Sequence, residues 1–312
     1  MFSQRLQADW DNAQQRIEKE RESIMAFHEP VALVTGASSG IGQATAELLA
    51  AHGFTVFGTS RTPIQDTRSY TWLPLDVRSD DSVQAAVQSL LAQAGRIDLL
   101  VNNAGYVQFG AIEESSVADA QAQLDTNLFG VIRMLQAVLP VMRQQGSGRI
   151  INISSIVGQV APPYGGLYAT SKFALEGLSE ALREEVRPFG VSVSLVEPSY
   201  VKTPIVSQPP TNPIAAYTPG RQAAQQALLT STKKGMEPGV VARAILRAAT
   251  TRPRLRYPVG QDGKALLLLK RLLPESAFER IKRRLFSSGK TAAPHPQTQP
   301  QQTAASDEAT VR

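Results

Sequence analysis

The feature that most constrains the fold of this chain is its alternation of short apolar runs with longer amphipathic stretches. The runs rich in Val, Ile and Leu, each a predicted strand, span residues 31–35, 55–59, 71–75, 99–102, 149–153, 191–197 and 255–259. The stretches with helical periodicity span residues 41–52, 80–94, 116–144, 168–187 and 238–250. Several strands lack a polar face, which is typical of parallel strands covered by helices on both sides. The pattern predicts one doubly wound α/β domain with about seven parallel strands.

The two ends of the chain differ in composition from this body. Residues 1–29 are polar and rich in Gln, Glu and Arg, and we expect an extension outside the domain. The domain itself is predicted to span residues 30–261, followed by a separate amphipathic and basic segment over residues 262–286. Residues 287–312 hold too few apolar side chains to offset the entropy of ordering, so disorder is predicted there.

Composition and charge exclude several classes of function. The chain has no cysteine and only three scattered histidines, so a thiolate metal site is excluded and a zinc site is not expected. No secretory signal and no apolar run of about 18 residues is visible, and a cytoplasmic location is predicted. The segment from Arg252 to Lys290 holds 11 of the 32 Lys and Arg residues but 3 of the 27 Asp and Glu residues. The basic charge belongs to this segment, and no nucleic-acid partner is expected.

A glycine-rich turn follows the first predicted strand and opens the first predicted helix. Its sequence, TGASSGIG over residues 35–42, fits two kinds of site. Gly36, Gly40 and Gly42 would let a phosphate approach the backbone at a helix N-terminus. Alternatively, GASSG is a G-x-S-x-G turn that presents Ser38 as a nucleophile.

The positions of the histidines argue against the nucleophile. A serine hydrolase of this type needs a histidine that follows the serine in chain order. His52 lies on the helix that the turn opens, and His295 lies in the predicted disordered tail, so neither is expected to reach Ser38. Two interpretations of the glycine-rich turn remain: a phosphate site, or a tight turn that binds no ligand.

Five motifs in order resemble the short-chain dehydrogenase/reductase family. They are TGASSGIG (35–42), NNAG (102–105), Asn127, NISS (152–155) and YATSK (168–172). The resemblance covers roughly residues 31–260 and looks closest to the 17β-hydroxysteroid dehydrogenase-like and retinol dehydrogenase-like branch. It implies a Rossmann-type domain that transfers a hydride between a nicotinamide cofactor and a CH–OH group.

Tyr168 and Lys172 carry acid–base chemistry that can be argued without the family. They are four positions apart on a predicted helix, so they share a face. A lysine cation about 4 Å from a phenol contributes about 4 kcal/mol at an effective dielectric near 20. We therefore expect the pKa of Tyr168 to fall from its usual value toward neutrality, where the phenol can act as a general acid or base.

The resemblance implies two further catalytic residues. Ser155 follows the strand RIINI, where ligands bind in open α/β sheets, and its hydroxyl would hold the substrate oxygen beside Tyr168. The neighbouring Ser154 is disfavoured by the family's spacing to the tyrosine. Asn127 lies inside a predicted helix, where asparagine is mildly unfavourable, and its family counterpart helps to hold a water chain that leads to Lys172.

The resemblance also implies the cofactor-binding residues. Asp76 would face the adenine, and Thr203 would contact the nicotinamide carboxamide. The complete set is Gly36, Ser38, Ser39, Gly40, Ile41, Gly42, Arg61, Asp76, Val77, Asn103, Ala104, Gly105, Tyr168, Lys172, Pro198 and Thr203. The family usually has Pro-Gly where this chain has Pro198 and Ser199, so the backbone path is expected to differ there.

Arg61 indicates which nicotinamide cofactor is used. The second predicted strand ends in VFGTSRT, without the acidic residue that would bind the adenosine ribose of NAD. Arg61 is instead placed to bind a 2′-phosphate, so NADP(H) is predicted over NAD(H).

Two segments are expected to select the substrate. The sequence QVAPPYGG (159–166) is mostly apolar, and residues 199–237 contain five prolines and indicate a loop-rich, mobile lid. Both favour a small apolar alcohol, ketone or aldehyde, such as a steroid, a retinoid or an acyl chain. A 3-oxoacyl-type reductase and a regulatory protein that binds NADP without turnover remain alternatives.

The segment over residues 262–286 is predicted to form two helices separated at Pro274. Leu266, Leu269 and Leu273 follow helical spacing in the first, while lysines and arginines crowd the surface of the second. Three roles fit this pattern: docking onto the domain, covering the substrate cleft, or peripheral contact with an anionic membrane.

An oligomer is implied by the resemblance alone. Members of the family commonly pair two long helices, which correspond here to residues 116–144 and 168–187. We therefore expect a homodimer or a homotetramer.

Overall fold

The computed structural model describes residues 29–62, 68–205 and 207–286. Nearly all of the expected N-terminal extension and the whole expected disordered tail lie outside these residues. The strands are β1 Val31–Val34, β2 Thr55–Ser60, β3 Thr71–Pro74, β4 Leu99–Asn102, β5 Val107–Gln108, β6 Gly148–Ile153, β7 Val191–Pro198, β8 Ser207–Gln208 and β9 Arg256–Val259. The α-helices are α1 Gly40–Ala50, α2 Asp80–Ala94, α3 Val117–Leu124, α4 Gly130–Gln145, α5 Gly166–Val186, α6 Thr218–Lys233, α7 Pro238–Thr250, α8 Gln261–Leu272 and α9 Glu275–Phe286.

Seven of the strands form one parallel sheet in the order β3-β2-β1-β4-β6-β7-β9. In β1, Leu33 lies opposite Phe57 of β2 on one side and opposite Leu100 of β4 on the other. The strand order reverses between β1 and β4, which opens a crevice at the carboxyl ends of these strands. The predicted doubly wound fold with a seven-stranded parallel sheet is confirmed.

The sheet is buried on both faces. Along β1, Val31 and Leu33 belong to one apolar cluster, whereas Ala32 and Val34 belong to another. Helices α2, α4 and α5 contribute to the first cluster, and helices α1 and α7 contribute to the second. All four side chains of β1 are at most 3% exposed, which explains why this strand shows no polar face in the sequence.

Capping residues determine where several helices begin and end. The Ser79 side chain accepts a hydrogen bond from the Ser82 N–H at the start of α2, and Gly95 ends that helix with φ of 71°. Ser116 and Asp119 form a reciprocal capping box at the start of α3. These local signals explain why α2 has the bounds that the sequence predicted.

The helix predicted over residues 116–144 is interrupted. Between α3 and α4, residues Asp125–Phe129 form a π-helical turn, which holds one more residue than an α-turn. Asn127 lies in this turn and is 1% exposed. A Cβ on Gly130 would lie 2.8 Å from Val77, so glycine lets the helix pass close to the loop after β3. The prediction of a helix over residues 116–144 is confirmed by the helical conformation of residues 117–145, although apolar periodicity could not reveal the π-turn within it.

The segment over residues 199–237 is not loop-rich throughout. Helix α6 occupies 16 of its residues. Pro219 lies in the first turn of α6, where a missing N–H removes no helical hydrogen bond, and the residues that follow are mostly good helix formers. The prediction of a loop-rich segment was therefore wrong for the residues of α6, and the mobility of the segment stays a prediction.

The C-terminal segment forms the two predicted helices, which meet at Pro274. Gly263 is the buried residue of α8, and Phe278 is the buried residue of α9. The exposed apolar residues of α8, which we call the leucine face, are Ala265, Leu268, Leu269 and Leu272. Among the described residues, no helix combines the length and the apolar character needed to cross a bilayer.

Candidate active site

A cavity of about 590 Å³ opens at the carboxyl ends of β1, β2 and β4. It lies in the crevice where the strand order reverses, which is the usual position for a ligand in an open α/β sheet. The predicted cofactor residues that line it are Gly36, Ser38, Ser39, Gly40, Ile41, Arg61, Asp76, Val77, Asn103, Ala104, Gly105 and Thr203. Gly42, Pro198, Tyr168 and Lys172 lie outside this lining.

The glycine-rich turn presents backbone rather than side chains to the cavity. Gly36 and Gly40 have φ of 66° and 56°, a conformation that other residues rarely adopt. A Cβ on Gly42 would lie 2.2 Å from the Gly36 carbonyl oxygen, so only glycine fits there. Ser39 precedes α1 without making a side-chain cap, which leaves the first N–H groups of the helix free to bind an anion. The turn therefore fits the pyrophosphate of a dinucleotide.

Thr35 and Asn103 hold this turn in place. The Thr35 hydroxyl accepts hydrogen bonds from the N–H groups of Asn103 at 2.9 Å and Ala104 at 3.0 Å. The Asn103 amide in turn donates to the carbonyl oxygens of Thr35 at 2.9 Å and Gly36 at 3.1 Å. Thr35 was not among the predicted site residues, although it is the first residue of the TGASSGIG motif.

Charged side chains line the end of the cavity near β2 and β3. Arg61 is exposed there, and Arg78 lies close by with its Nη2 atom 2.6 Å from Asp76 Oδ2. The hydrogen bonds from Arg78 lower the pKa of Asp76. Sequence reasoning did not identify Arg78. Two guanidinium groups beside one carboxylate give this end of the cavity a positive balance, which favours a phosphate.

Tyr168, Ser155 and Lys172 meet beside the carboxyl ends of β6 and β7. The Lys172 Nζ atom is 5.7 Å from the centre of the Tyr168 ring, and it donates to the Ile153 carbonyl oxygen at 2.7 Å. The Ser155 hydroxyl is hydrogen-bonded to Tyr168 and donates to the Pro198 carbonyl oxygen at 3.2 Å. Three of the four predicted catalytic side chains are thus neighbours.

The protonation of these groups differs from the sequence expectation. Burial raises the pKa of Tyr168 to about 12, against the opposing effect of its hydrogen bond with Ser155. Burial also lowers the pKa of Lys172 to about 8, against the opposing charge of Glu176. The expected fall in the pKa of Tyr168 was wrong because burial of the phenol disfavours its charged form. Tyr168 therefore holds its proton at neutral pH.

Asn127 uses its whole side chain to connect two elements. Its Nδ2 atom donates to the Tyr106 carbonyl oxygen at 3.0 Å and to Ser171 Oγ at 3.1 Å. Its Oδ1 atom accepts from the Tyr106 N–H at 3.1 Å. A Cβ on Gly105 would lie 3.1 Å from this oxygen. Asn127 thus fixes the loop after β4 against α5, and the expected water chain to the lysine stays a prediction.

Thr203 and Ser199 define the backbone that follows β7. A Cβ on Gly40 would lie 3.0 Å from Thr203 Cγ2, so Thr203 packs on the glycine-rich turn. Ser199, at the position where the family has glycine, donates its hydroxyl to Asp262 Oδ1 at 2.7 Å. The serine therefore links the first residues of the expected lid to the start of α8.

Glu114 anchors the expected lid to the domain. It is fully buried, accepts a hydrogen bond from the Ile214 N–H at 2.9 Å and forms an ion pair with Arg221 of α6. The adjacent, exposed Glu113 accepts from the Tyr217 hydroxyl at 2.6 Å. These partners lie about a hundred residues apart in sequence, and nothing in the local pattern could have predicted their pairing.

Tyr164 connects the expected substrate segment to the same lid. Its backbone has φ of 59°, which is unusual for a residue other than glycine. Its ring lies 6.4 Å from that of Phe109, and a Cβ on Gly220 would lie 2.0 Å from its hydroxyl oxygen. An aromatic pair therefore lies between the lid helix and the strand β5.

Comparison with known sequences agrees with this geometry. Residues 30–213 match the short chain dehydrogenase family. The chain is 47% identical over 173 residues to 3-ketodihydrosphingosine reductase of Bacteroides thetaiotaomicron, across 55% of this chain and 64% of that relative. It is 38% identical over 284 residues to the oxidoreductase YusZ of Bacillus subtilis, across 84% of this chain and 100% of that relative.

A solved structure has the same fold with a cofactor bound. It is a short chain dehydrogenase/reductase from Burkholderia phymatum in complex with NAD. It aligns with a TM-score of 0.69 at 27% identity, across 81% of this chain and 96% of that chain. The fold therefore accommodates a nicotinamide dinucleotide in that neighbour.

Proposed function

Because the chain belongs to the short-chain dehydrogenase family, we propose that it is an NADP(H)-dependent oxidoreductase that interconverts an alcohol and a ketone or aldehyde. The observation that carries the proposal is the meeting of Tyr168, Ser155 and Lys172 near the glycine-lined cavity. A protein that only bound the nucleotide would need none of these three side chains.

The proposed mechanism assigns each side chain one task. When bound, the nicotinamide cofactor supplies or accepts the hydride at the carbonyl carbon. Ser155 donates a hydrogen bond to the substrate oxygen, and Tyr168 gives that oxygen its proton. The charge of Lys172 favours release of this proton as the reaction proceeds.

We propose an apolar substrate, in keeping with the mostly apolar segment over residues 159–166 and the ring pair of Tyr164 and Phe109. The name of the Bacteroides relative denotes reduction of a lipid ketone, which supports a long-chain ketone as the first candidate. Steroid and retinoid carbonyls, suggested by the resemblance to the corresponding branch, are the next candidates.

The experiment that tests the proposal is a substrate panel. The purified chain is supplied with NADPH or NADH and with long-chain 3-keto, 3-oxoacyl, steroid, retinal and small-aldehyde carbonyls, and absorbance of the reduced cofactor is followed. We expect NADPH-dependent turnover that is fastest with a long apolar ketone. NADPH binding without turnover of any carbonyl or of the corresponding alcohols would instead support a regulatory protein.

Arg61 is proposed to select NADP(H). We expect Arg61→Asp to raise the KM for NADPH by about tenfold or more, since it replaces a charge-assisted hydrogen bond with repulsion, while the KM for NADH changes less. Steady-state kinetics with both cofactors measure the effect.

The matched control for this variant is Arg252→Asp, which makes the same charge change at an exposed arginine away from the cavity. We expect it to leave the preference between the two cofactors unaltered. A wild-type chain that uses NADH better than NADPH would contradict the proposed cofactor choice.

We further propose that the leucine face contacts an anionic membrane surface. Leu268 and Leu272 are 56% and 68% exposed, and lysines and arginines adjoin them on α8 and crowd α9. Helix α8 packs on the catalytic side of the domain, where a Cβ on Gly263 would lie 2.7 Å from Ile156. A lipid substrate would then be presented next to the site.

Vesicle sedimentation tests this contact. We expect the chain to bind phosphatidylserine-containing vesicles, to bind pure phosphatidylcholine vesicles less, and to be released by added salt. The double variant Leu268→Asp and Leu272→Asp should lose this binding. The control Phe189→Asp places one acidic side chain, against two in the double variant, on an exposed residue beside the amino end of β7 and should retain it. Equal binding by all three proteins would rule out the leucine face as the contact.

We also propose a cytoplasmic homodimer or homotetramer, as the resemblance implies. Phe129 beside α4 and Phe173 in α5 are 44% and 45% exposed, which supports burial of these surfaces against a second copy. Light scattering of the purified chain would measure its mass in solution.

A further inference from the structure

A cluster of charged side chains lies next to Lys172 in the interior of the molecule. Glu176 follows Lys172 by one turn of α5 and is 6% exposed, and Glu197 in β7 is fully buried. The Arg256 Nε atom in β9 lies 2.8 Å from Glu176 Oε2 and 3.4 Å from Glu197 Oε1. Two carboxylates therefore share one guanidinium group in a place from which solvent is largely excluded.

The remaining charges of the cluster do not balance. Glu180, which is more exposed, forms a second ion pair with Arg256. Among the buried groups, Lys172 donates to the Ile153 carbonyl oxygen and forms no ion pair within the described residues, so Arg256 is the cation that faces the two carboxylates of Glu176 and Glu197. Buried charges are stable only when paired, and a single bound proton would neutralise this cluster.

Two oxygen atoms indicate where that proton is held. Glu176 Oε1 and Glu197 Oε2 are buried and accept no hydrogen bond from any residue that the structure describes. Burial, with the charge of Glu176 adding to it, raises the pKa of Glu197 to about 7. Adjacent carboxylates that cannot both ionise take up one proton as a pair.

The surrounding residues close the cluster. A Cβ on Gly158 would lie 2.8 Å from Ser154 Oγ and 3.3 Å from Glu176 Cγ, so this glycine lets the chain pass directly over the carboxylate. The Gln159 side chain donates to Glu197, and its carbonyl oxygen accepts from Lys270 of α8. The segment that follows Ser155 thus packs against the charged cluster.

We propose that Glu176 and Glu197 hold one proton between them, carried by Glu197, and that the remaining charge of Glu176 keeps Lys172 cationic. The proposal rests on the proposed function. Glu176 is a positioning residue, because it acts on the reaction through Lys172 and touches neither cofactor nor substrate. The Arg256 side chain and the Gln159 amide hold the pair in this arrangement.

The first test compares the pH profiles of kcat for NADPH-dependent carbonyl reduction. Glu176→Gln removes the charge that opposes the lowered pKa of Lys172, so the alkaline limb should move to lower pH by about half a unit or more. Glu176 carries the charge that opposes the lowered pKa of Lys172, so Glu197→Gln, an amide of the same shape, should move the limb less. Glu180→Gln, which also removes a partner of Arg256, serves as the matched control.

The order of these shifts decides the outcome. A larger shift in Glu176→Gln than in both other variants supports the proposal. Equal shifts in Glu176→Gln and Glu197→Gln would contradict the assignment of the action on Lys172 to Glu176. If the alkaline limb of Glu176→Gln moves no further than that of Glu180→Gln, the result would contradict the proposed action of Glu176 on Lys172. A carboxylate with only a structural role would not move the alkaline limb.

The second test needs no turnover. The pKa of Glu197 is raised in the folded chain from 4.5 to about 7, so between these pH values the folded state binds more protons than the unfolded state. This contribution to stability is fully present below about pH 4.5 and is lost as the pH rises to about 7. The Glu197→Gln variant has no carboxyl group at this position, so its stability lacks this dependence on pH.

We therefore expect the Tm of the wild type, minus that of Glu197→Gln, to decrease as the pH rises from about 5 to about 7.5. A difference that stays constant or increases would overturn the shared proton. If no carbonyl is reduced by the wild type, the proposed function fails, whereas the melting experiment still tests the pair.

Discussion

Tyr168→Phe is expected to lower kcat for carbonyl reduction by about a hundredfold or more, the usual contribution of a general acid. The substitution keeps the ring and removes only the hydroxyl that is hydrogen-bonded to Ser155. Cofactor binding should persist, because the glycine-rich turn and Arg61 are untouched. Stopped-flow or steady-state absorbance gives kcat, and fluorescence titration gives the Kd for NADPH.

A second tyrosine provides the control for this variant. Tyr257 in β9 accepts a hydrogen bond from the Arg254 N–H at 3.1 Å and lies outside the cavity. Tyr257→Phe should retain wild-type turnover. Turnover in Tyr168→Phe that matches the wild type would exclude Tyr168 as the proton donor and with it the proposed mechanism.

Glu114→Gln is expected to lower the free energy of unfolding by about 3 kcal/mol, because it leaves the guanidinium group of Arg221 without its buried partner. The Arg221 side chain is only 15% exposed, so water cannot fully replace the carboxylate. Since Glu114 also accepts from the Ile214 N–H, the lid should be held less firmly. The KM for a long apolar ketone should then rise more than the KM for a small aldehyde.

Urea unfolding and the two KM values measure these effects. The adjacent variant Glu113→Gln removes a carboxylate that is exposed, and we expect a change of less than about 0.5 kcal/mol. In the double variant Glu114→Gln with Arg221→Met, the loss should be smaller than the sum of the single losses. Additive losses would show that the two residues are not coupled and that the lid is held by other contacts.

Local patterns predicted the sheet well because its strands are buried on both faces. The continuous apolar run of β1 is possible only where helices cover both sides, and Val31 to Val34 are divided between the two apolar clusters. The glycine-rich turn was equally predictable, since the close approach of Gly42 to Gly36 excludes any side chain. In both cases the physical constraint acts within a few residues of the chain.

The features that sequence reasoning missed depend on distant residues. Glu114 meets Arg221, and Glu197 meets Arg256, only after the sheet has formed. The pKa of Tyr168 was predicted in the wrong direction because the burial of the phenol, which depends on distant residues, cannot be read from the nearby lysine. One local signal was available for the carboxylate pair: Glu197 directly follows the apolar residues Leu195 and Val196 near the end of a buried strand, where an unpaired charge would be strongly destabilising.

The order of the strands in the sheet has a consequence for synthesis of the chain. β2 pairs with β1, β3 with β2, β4 with the free edge of β1, β6 with β4, β7 with β6, and β9 with β7. Each strand that leaves the ribosome therefore finds an open edge and never has to enter between two strands already joined. The nucleotide cradle at β1, β2 and β4 can assemble first, and the segments that carry Ser155 and Tyr168 follow. The chain can thus grow from the half proposed to bind the nucleotide toward the half proposed to carry out the reaction.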